Sequence, residues 1–369
     1  MNNPVGVYIH VPFCISKCPY CDFYSVANSE EFKDRYTDKL IEEISKSEYK
    51  KEADTVYFGG GTPSLLGEKR LIKIFSAIEK NFPLSKDYEA TVEVNPADDL
   101  HNFLYEIKSA GINRLSIGMQ SANNEELKLL GRRHTHENTV TCVKDAISAG
   151  FENFSLDVML AISGQDFSSL EKTINECKNL SANHASAYLL KIEENTQYAK
   201  IYDTLSLPDD DKAADLYLYA CSLLEERGFS QYEISNFAKP NKESRHNLKY
   251  WQGKEYIGFG PAAHSFINGK RFFYDRNLEE YLKNPTLIYD GEGGDIEEFS
   301  LLALRLNRGI SLKEITDRFG EIGKNKFFEM KKNAEKLLST GYVHVSEENI
   351  ALTKEGFLVS NLIFYKITQ

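Results

Sequence analysis

The chain has 369 residues and a mass of 42.0 kDa, with 41% hydrophobic and 27% charged residues, a composition that excludes disordered, collagen-like and disulfide-scaffold chains. Its 55 acidic and 44 basic residues give a net charge of −11, so the average surface repels phosphate backbones and no nucleic-acid partner is expected. No apolar run approaches the roughly 20 residues that span a bilayer, and residues 1–6 lack a signal-peptide pattern. We therefore expect a cytoplasmic protein with one large domain and a smaller companion.

Apolar, strand-like runs recur in the first half of the chain, and a helical pattern follows each of them. The runs cover residues 6–11, 55–58, 90–94, 114–117, 154–159 and 185–190. Apolar residues three and four apart, as at Leu71, Ile74 and Ile78, predict amphipathic helices between the runs. This alternation predicts an α/β fold with a parallel sheet, either a barrel or a doubly wound sheet. In both architectures the chemistry lies in the loops that leave the C-terminal ends of the strands.

The alternation weakens after residue 190. A helix is predicted over 209–227 and an aromatic segment over 232–274, and a proline and three glycines between residues 285 and 294 mark a boundary. We therefore divide the chain into residues 1–290, with an aromatic extension at about 232–285, and residues 291–369.

The C-terminal part has the pattern of a winged-helix-like α+β module. Helices are predicted over 296–306, 311–319 and 324–338, then strands at 342–345 and 350–352, then a last helix. From Asp295 onward, 11 acidic and 11 basic residues cancel. We expect a packing module rather than a DNA-binding one.

Six cysteines fall into two groups, and without a secretion signal they favour thiols or metal ligands over disulfides. Three stand alone in helical patterns and are interpreted as core thiols: Cys142, Cys177 and Cys221. The others lie in the loop after the first predicted strand: Cys14, Cys18 and Cys21. Three thiolates leave one iron of a four-iron cubane without a protein ligand, so this spacing favours an iron-sulfur cluster. The alternative is a zinc knuckle, but His10, on a predicted strand, is poorly placed as a fourth ligand.

The triplet Cys-x3-Cys-x2-Cys resembles the radical S-adenosylmethionine (SAM) superfamily, in which the open iron binds the amino and carboxylate groups of SAM. Longer motifs resemble the oxygen-independent coproporphyrinogen III oxidase group: YIHVPFC (8–14), GGGTPS (59–64), EVNP (93–96), RLSIGMQS (114–121), LGRRHT (130–135) and HNLKYW (246–251). The resemblance covers nearly the whole chain. It implies a partial (β/α)6 radical SAM barrel with a small C-terminal winged-helix-like α+β module, a [4Fe-4S] cluster and S-adenosyl-L-methionine.

Within that group the chain is most similar to the HemW-type haem chaperones. The oxidases carry a fourth cysteine two residues after the third, where this chain has Phe23. They also carry a long N-terminal extension that closes over the porphyrinogen, whereas the first cysteine here is residue 14. Finally, HNLKYW resembles the haem-binding motif of the chaperones.

The likeness implies haem and apo-haemoprotein clients, some at the membrane, as partners, and we also expect a homodimer. Three other functions stay open. They are oxidative decarboxylation of coproporphyrinogen III, an uncharacterised radical SAM transferase, and a nucleic-acid-binding winged-helix protein.

The same resemblance assigns the SAM site. It implies a methionyl-amine loop at Gly60, Gly61 and Thr62, although glycines are common in such turns. It also implies SAM contacts at Tyr8 and Phe23 beside the cysteines, and at Glu93, Gln120 and Asp157 near later strand ends. The alternative for these last three is a helix cap. Arg132 matches the arginine that holds the methionyl carboxylate, with Arg133 as its rival.

One loop departs from the family pattern. In residues 157–165, Ala161 and Ser163 replace a glycine and a proline of the relatives. The conformation of this loop is therefore in question.

For haem, the motif predicts His246 as an axial ligand. Tyr250 and Trp251 would supply a flat apolar surface, and Asn247 and Lys249 would be hydrogen-bond or propionate partners. Without the resemblance, a lone histidine among aromatics is more often a buried core residue. His10 and His264 are rival ligands, the first because it adjoins the cysteine loop and the second because it follows a glycine-rich turn.

Overall fold

The computed structural model describes residues 4–27, 29–97 and 99–368, so the first three residues of the segment tested for a signal peptide lie outside it. The strands are β1 (Val5–Val11), β2 (Phe13–Cys14), β3 (Val26–Ala27), β4 (Ala53–Gly60), β5 (Leu84–Val94), β6 (Arg114–Gln120), β7 (Phe154–Leu160), β8 (His184–Leu189), β9 (Ser230–Glu233), β10 (Asn236–Ala238), β11 (Tyr256–Phe259), β12 (His264–Ile267), β13 (Lys270–Tyr274), β14 (Leu287–Glu292), β15 (Ile310–Ser311), β16 (Val343–Val345) and β17 (Asn349–Leu352).

The helices are α1 (Glu30–Lys46), α2 (Glu68–Asn81), α3 (His101–Ser109), α4 (Asn124–Leu129), α5 (His136–Ser148), α6 (Phe167–Asn179), α7 (Gln197–Lys200), α8 (Asp210–Glu226), α9 (Arg245–Trp251), α10 (Leu278–Lys283), α11 (Ile296–Ala303), α12 (Leu312–Glu335), α13 (Lys354–Leu358) and α14 (Ser360–Thr368). Short 3-10 turns lie at Pro63–Leu66, Tyr202–Thr204 and Leu338–Thr340. None of these helices is long and apolar enough to cross a membrane.

Six parallel strands form the centre of the molecule. They pair in the order β1, β4, β5, β6, β7, β8. A helix precedes β4 and each of the parallel strands that follow it in this order. This confirms the predicted partial (β/α)6 architecture. Every residue of β6 is buried, as expected for a parallel strand covered on both faces. The predicted apolar face of α2 is also buried, with Leu71, Ile74 and Ile78 fully covered.

Further strands, most of them antiparallel, extend this sheet on both sides to twelve strands. On one side β11 pairs in parallel with β1, and β12, β13 and β14 continue as an antiparallel meander. On the other side β10 and β9 pair antiparallel next to β8. The aromatic segment of the sequence therefore forms sheet as well as helix, and β1 is an interior strand.

The C-terminal module has the predicted winged-helix-like elements. A three-stranded antiparallel sheet, β15-β17-β16, packs against α12 and α13, and α11 and α14 contact α12. The two predicted middle helices are joined as α12 across a kink at Gly320. The predicted boundary after residue 290 falls inside β14, and α11 begins after its N-cap Asp295. The division into two domains stays a prediction.

A glycine in this module is fixed by close packing. Gly309 has φ +66°, and a Cβ there would lie 2.0 Å from the carbonyl oxygen of Ile350 in β17. Gly341 has φ +76° but no atom near its Cβ position. We expect Gly309→Ala to lower the free energy of unfolding by about 2–4 kcal/mol, and Gly341→Ala by about 1 kcal/mol from backbone strain alone. Urea unfolding followed by circular dichroism measures both, and equal losses would contradict the packing argument.

Candidate cluster and cofactor site

The C-terminal ends of the parallel strands bring the predicted site residues to one edge of the sheet. The cysteine loop follows β1 and β2, and the glycine loop follows β4. Glu93 lies near the end of β5, Gln120 ends β6, and Asp157 lies in the second half of β7. The structure therefore places at one edge of the sheet the residues that the sequence predicted to lie there.

The glycine loop packs directly on the strand that carries the first cysteine. The Gly61 amide donates to the Val11 carbonyl at 2.7 Å, and the Thr62 amide donates to the Phe13 carbonyl at 2.8 Å. A Cβ on Gly61 would lie 2.7 Å from that Phe13 oxygen, so only glycine fits. The Thr62 hydroxyl consequently lies 3.6 Å from the sulfur of Cys14.

The three cysteines share one partly buried loop. Cys18 and Cys21 form a turn in which the Cys21 amide donates to the Cys18 carbonyl at 3.1 Å. Burial raises the pKa of the Cys21 thiol, and the nearby sulfurs of Cys18 and Cys14 act in the same direction. Within the described residues no three His, Cys, Asp or Glu side chains converge on a single metal ion. A cubane binds each thiolate at a different iron, so it does not require such convergence.

Arg132 has a buried donor without a partner. Its Nη2 donates to the Gly118 carbonyl at 3.1 Å, and its Nη1 lies 3.7 Å from the Cys18 sulfur and 3.5 Å from the Tyr20 hydroxyl. Its Nε is buried and has no hydrogen-bond partner in the described part of the chain. A pocket beside it is lined by Ile15, Ser16, Cys18, Thr62, Leu65, Asn95, Gly131 and Arg133. The thiols and this unpaired guanidinium nitrogen fit a cluster next to a carboxylate ligand.

Glu93 faces the barrel interior and does not cap a helix. One carboxylate oxygen accepts from the Tyr57 hydroxyl at 2.8 Å, and the other accepts from the Gly60 amide at 3.2 Å. Burial raises the pKa of Glu93 to about 7, and the nearby Asp157 carboxylate adds to the shift. At Gly60, φ is +107° and a Cβ would meet the His10 ring. Sequence reasoning missed Tyr57, which strand alternation places on the same face as Gly59.

Gln120 and Asp157 lie on neighbouring strands. Asp157 accepts hydrogen bonds from Ser116 at 3.0 Å and from Ser155 at 3.4 Å, and burial raises its pKa. Gln120 is buried with φ +64°, and its side-chain nitrogen would lie 3.0 Å from a Cβ placed on Gly118. Since Arg132 also contacts Gly118, the Gln120 amide lies near that guanidinium.

The loop after β7, which departs from the family pattern in sequence, has a backbone conformation that glycine adopts more easily. Ala161 has φ +58°, and its amide donates to the Gln165 side-chain oxygen at 2.7 Å. The Gln165 side-chain nitrogen donates in turn to the Met159 carbonyl at 3.2 Å. This buried glutamine holds the left-handed backbone at Ala161.

The haem motif forms α9, near the N-terminal ends of β4 and β5. His246 is 0% exposed, with Nδ1 2.9 Å from the Thr55 hydroxyl and Nε2 2.9 Å from the Tyr250 hydroxyl. Its ring stacks on Tyr57 at 5.2 Å, and burial lowers its pKa to about 3. Both ring nitrogens are thus occupied in this conformation, which is the arrangement of a buried core histidine. Iron ligation by His246 stays a prediction that requires α9 to move.

The remaining residues that were predicted to contact haem or SAM differ in how far they are buried and in what they contact. Asn247 and Trp251 are half-buried, and the Arg305 guanidinium lies 5.4 Å from the Trp251 ring centre. The Tyr8 hydroxyl lies 3.0 Å from His10 Nδ1, and the Tyr8 ring stacks on Tyr57. Phe23 is 67% exposed, next to the cysteine loop.

Comparison with known proteins agrees with this fold. Residues 8–177 match the radical SAM superfamily and residues 295–359 match the HemN C-terminal domain, so the molecule is a radical SAM protein. The heme chaperone HemW of Bacillus subtilis is 35% identical over 97% of this chain and 98% of its own length. The heme chaperone HemW of Escherichia coli is 37% identical over 72% of this chain and 70% of its own. The chain belongs to the HemW family.

A solved structure has the same fold. Coproporphyrinogen III oxidase (HemN) from Escherichia coli, described as a radical SAM enzyme, matches with a TM-score of 0.85 over 99% of this chain and 90% of its own. Its sequence identity is 21%, so this likeness concerns the fold alone. Membership of the radical SAM superfamily implies a [4Fe-4S] cluster and SAM as cofactors.

The raised pKa of Glu93 predicts a pH-dependent stability. An acid whose pKa rises from 4.5 when unfolded to about 7 when folded destabilises the fold as the pH rises through that range. The shift corresponds to about 3 kcal/mol. We expect Glu93→Gln to flatten the decline of unfolding free energy between pH 4.5 and 7. Urea unfolding across this range tests it, with the exposed Glu297→Gln as control, and an unchanged slope in Glu93→Gln would contradict it.

Proposed function

We propose that this protein is a haem chaperone that carries a [4Fe-4S] cluster and SAM, binds haem and delivers it to apo-haemoproteins. The main support is the similarity to heme chaperones along the whole chain. In addition, the cysteine loop has three cysteines, and Phe23 stands where the oxidases carry a fourth. Client haemoproteins, a membrane contact and a homodimer are parts of the proposal that rest on the resemblance alone.

In this proposal Cys14, Cys18 and Cys21 hold the cluster. Arg132 binds the methionyl carboxylate through its unpaired Nε, and Glu93 accepts from the amine or the ribose. Thr62, beside Cys14, and Gln120, near Arg132, line the same edge. When bound, a cluster of this kind supplies one-electron chemistry at SAM. The chain's own contribution is to orient SAM and to keep Glu93 ready to accept a hydrogen bond.

The cysteine assignment predicts the iron content of variants. Anaerobically reconstituted protein should hold about four irons per chain, as cubane stoichiometry requires. Cys14→Ala, Cys18→Ala and Cys21→Ala should each lose the cluster absorption, whereas Cys177→Ala, a buried core change, should retain it. Iron and sulfide assays with absorption spectra measure this. Full clusters in all three loop variants would refute the assignment.

The second candidate is oxidation of coproporphyrinogen III, the activity named for HemN of Escherichia coli, because residues 295–359 match the HemN C-terminal domain. The exposed Phe23 occupies the position of the oxidases' fourth cysteine, so that thiol is missing here. We therefore expect no useful decarboxylation, even if SAM is cleaved slowly.

Reconstituted protein with SAM, a reductant and coproporphyrinogen III should leave the porphyrinogen unconsumed while binding haemin in a parallel titration. Product analysis by chromatography measures the first and difference spectra the second. Sustained formation of protoporphyrinogen IX would favour the oxidase over the chaperone.

A further inference from the structure

The three candidate haem histidines differ in what their ring nitrogens contact. His10 is 4% exposed, with Nε2 2.9 Å from the Tyr24 carbonyl and Nδ1 3.0 Å from the Tyr8 hydroxyl. Both ring nitrogens of His246 likewise have hydrogen-bond partners. His264, the first residue of β12, is exposed, and within the described residues its ring nitrogens have no hydrogen-bond partner. Of the three, only His264 offers a free nitrogen in this conformation.

An apolar strip lies beside His264 on the same face of the sheet. In the antiparallel register His264 is opposite Phe273 of β13, and Phe273 is opposite Ile288 of β14. Opposite residues of antiparallel strands point to one face, so the three side chains form a row. The His264 and Phe273 rings stack at 5.5 Å and 25°, and Ile288 is 37% exposed. The apolar side chains of this strip can pack against the face of a metalloporphyrin, and the imidazole with its free nitrogen can bind the metal.

A cation near this strip suits the propionates of haem. The Arg276 side chain is 57% exposed and lies 3.5 Å from the Asp22 carboxylate, a long contact for an ion pair. Arg276 is close enough to His264 to affect its ionisation, while Asp290 acts in the opposite sense. Asp22 follows Cys21, so Arg276 lies beside the cysteine loop.

We propose that haem docks on the strip formed by His264, Phe273 and Ile288, with His264 as its axial ligand and Arg276 facing a propionate. This rests on the proposed function and places the ligand outside the HNLKYW motif. The partly desolvated surroundings of the His264 ring lower its pKa, which favours the neutral imidazole that binds iron at neutral pH. The occupant is an iron porphyrin because the row combines a nitrogen ligand, an apolar plane and a cation for carboxylates.

Haemin titration of the full chain tests the proposal. His264→Ala should weaken haemin binding at least about tenfold and lose the Soret band of the wild-type complex, and free imidazole should restore that band. His344→Ala, an exposed histidine on β16, is the matched control and should behave as wild type. Arg276→Gln should weaken binding of haemin but not of the iron porphyrin with esterified propionates.

The outcomes separate this proposal from the proposed function. If wild-type protein binds no haemin, the chaperone function fails. If wild type binds and His264→Ala binds with the same affinity and spectrum, the strip is not the site. If imidazole restores His246→Ala and not His264→Ala, the ligand is His246 and the proposal is overturned.

Discussion

Two backbone hydrogen bonds hold the glycine loop against the cysteine strand, from the Gly61 amide to Val11 and from the Thr62 amide to Phe13. Both depend on the missing side chain at Gly61, since a Cβ there would lie 2.7 Å from a carbonyl oxygen. Forcing an added carbon into such packing costs about 1–3 kcal/mol or shifts the backbone. A shift would move Thr62 away from Cys14. The position of the first cysteine thus depends on a residue 47 positions later in the chain.

The barrel interior is polar, which is costly unless each group has a partner. Tyr57 and Gly60 offset the burial of Glu93, and two serines offset that of Asp157. Tyr57 also stacks on His246, so one side chain contacts both the proposed SAM site and the haem motif. Burial raises the pKa of both Glu93 and Asp157, a feature that functional sites often have.

The haem motif has a structural role in this conformation. The Glu89 carboxylate accepts from the amides of Arg245 and His246 at the start of α9, at 3.0 and 3.3 Å. Lys249 is buried and pairs with Asp54 at 2.6 Å, and it also donates to the Pro4 carbonyl. Removing either partner of such a buried pair is costly, so α9 is firmly held against β4 and β5. Any release of His246 has to break these contacts together.

Local sequence patterns predicted the parallel barrel, the C-terminal module and the grouping of site residues at one edge. They could not predict that β11 pairs with β1, because Tyr256–Phe259 is four residues long and each of its residues lies 250 positions from its partner in β1. The environment of His246 was also hidden, since Thr55 and Tyr57 are distant in sequence. Ala161 indicated that this loop departs from the family pattern. It did not indicate how the loop conformation is held, which depends on the buried side chain of Gln165.

The cysteine loop is anchored to the sheet extension as well as to the glycine loop. Tyr24, three residues after Cys21, accepts from the Leu278 amide at the start of α10 and, through its carbonyl, contacts His10 at 2.9 Å. The exposed pair of Arg276 and Asp22 adds at most about 1 kcal/mol. Most of the anchoring therefore lies in the partly buried tyrosine. A displacement of the cysteine loop strains the Tyr24 contact with α10, which follows β13, so the loop and the extension are mechanically linked.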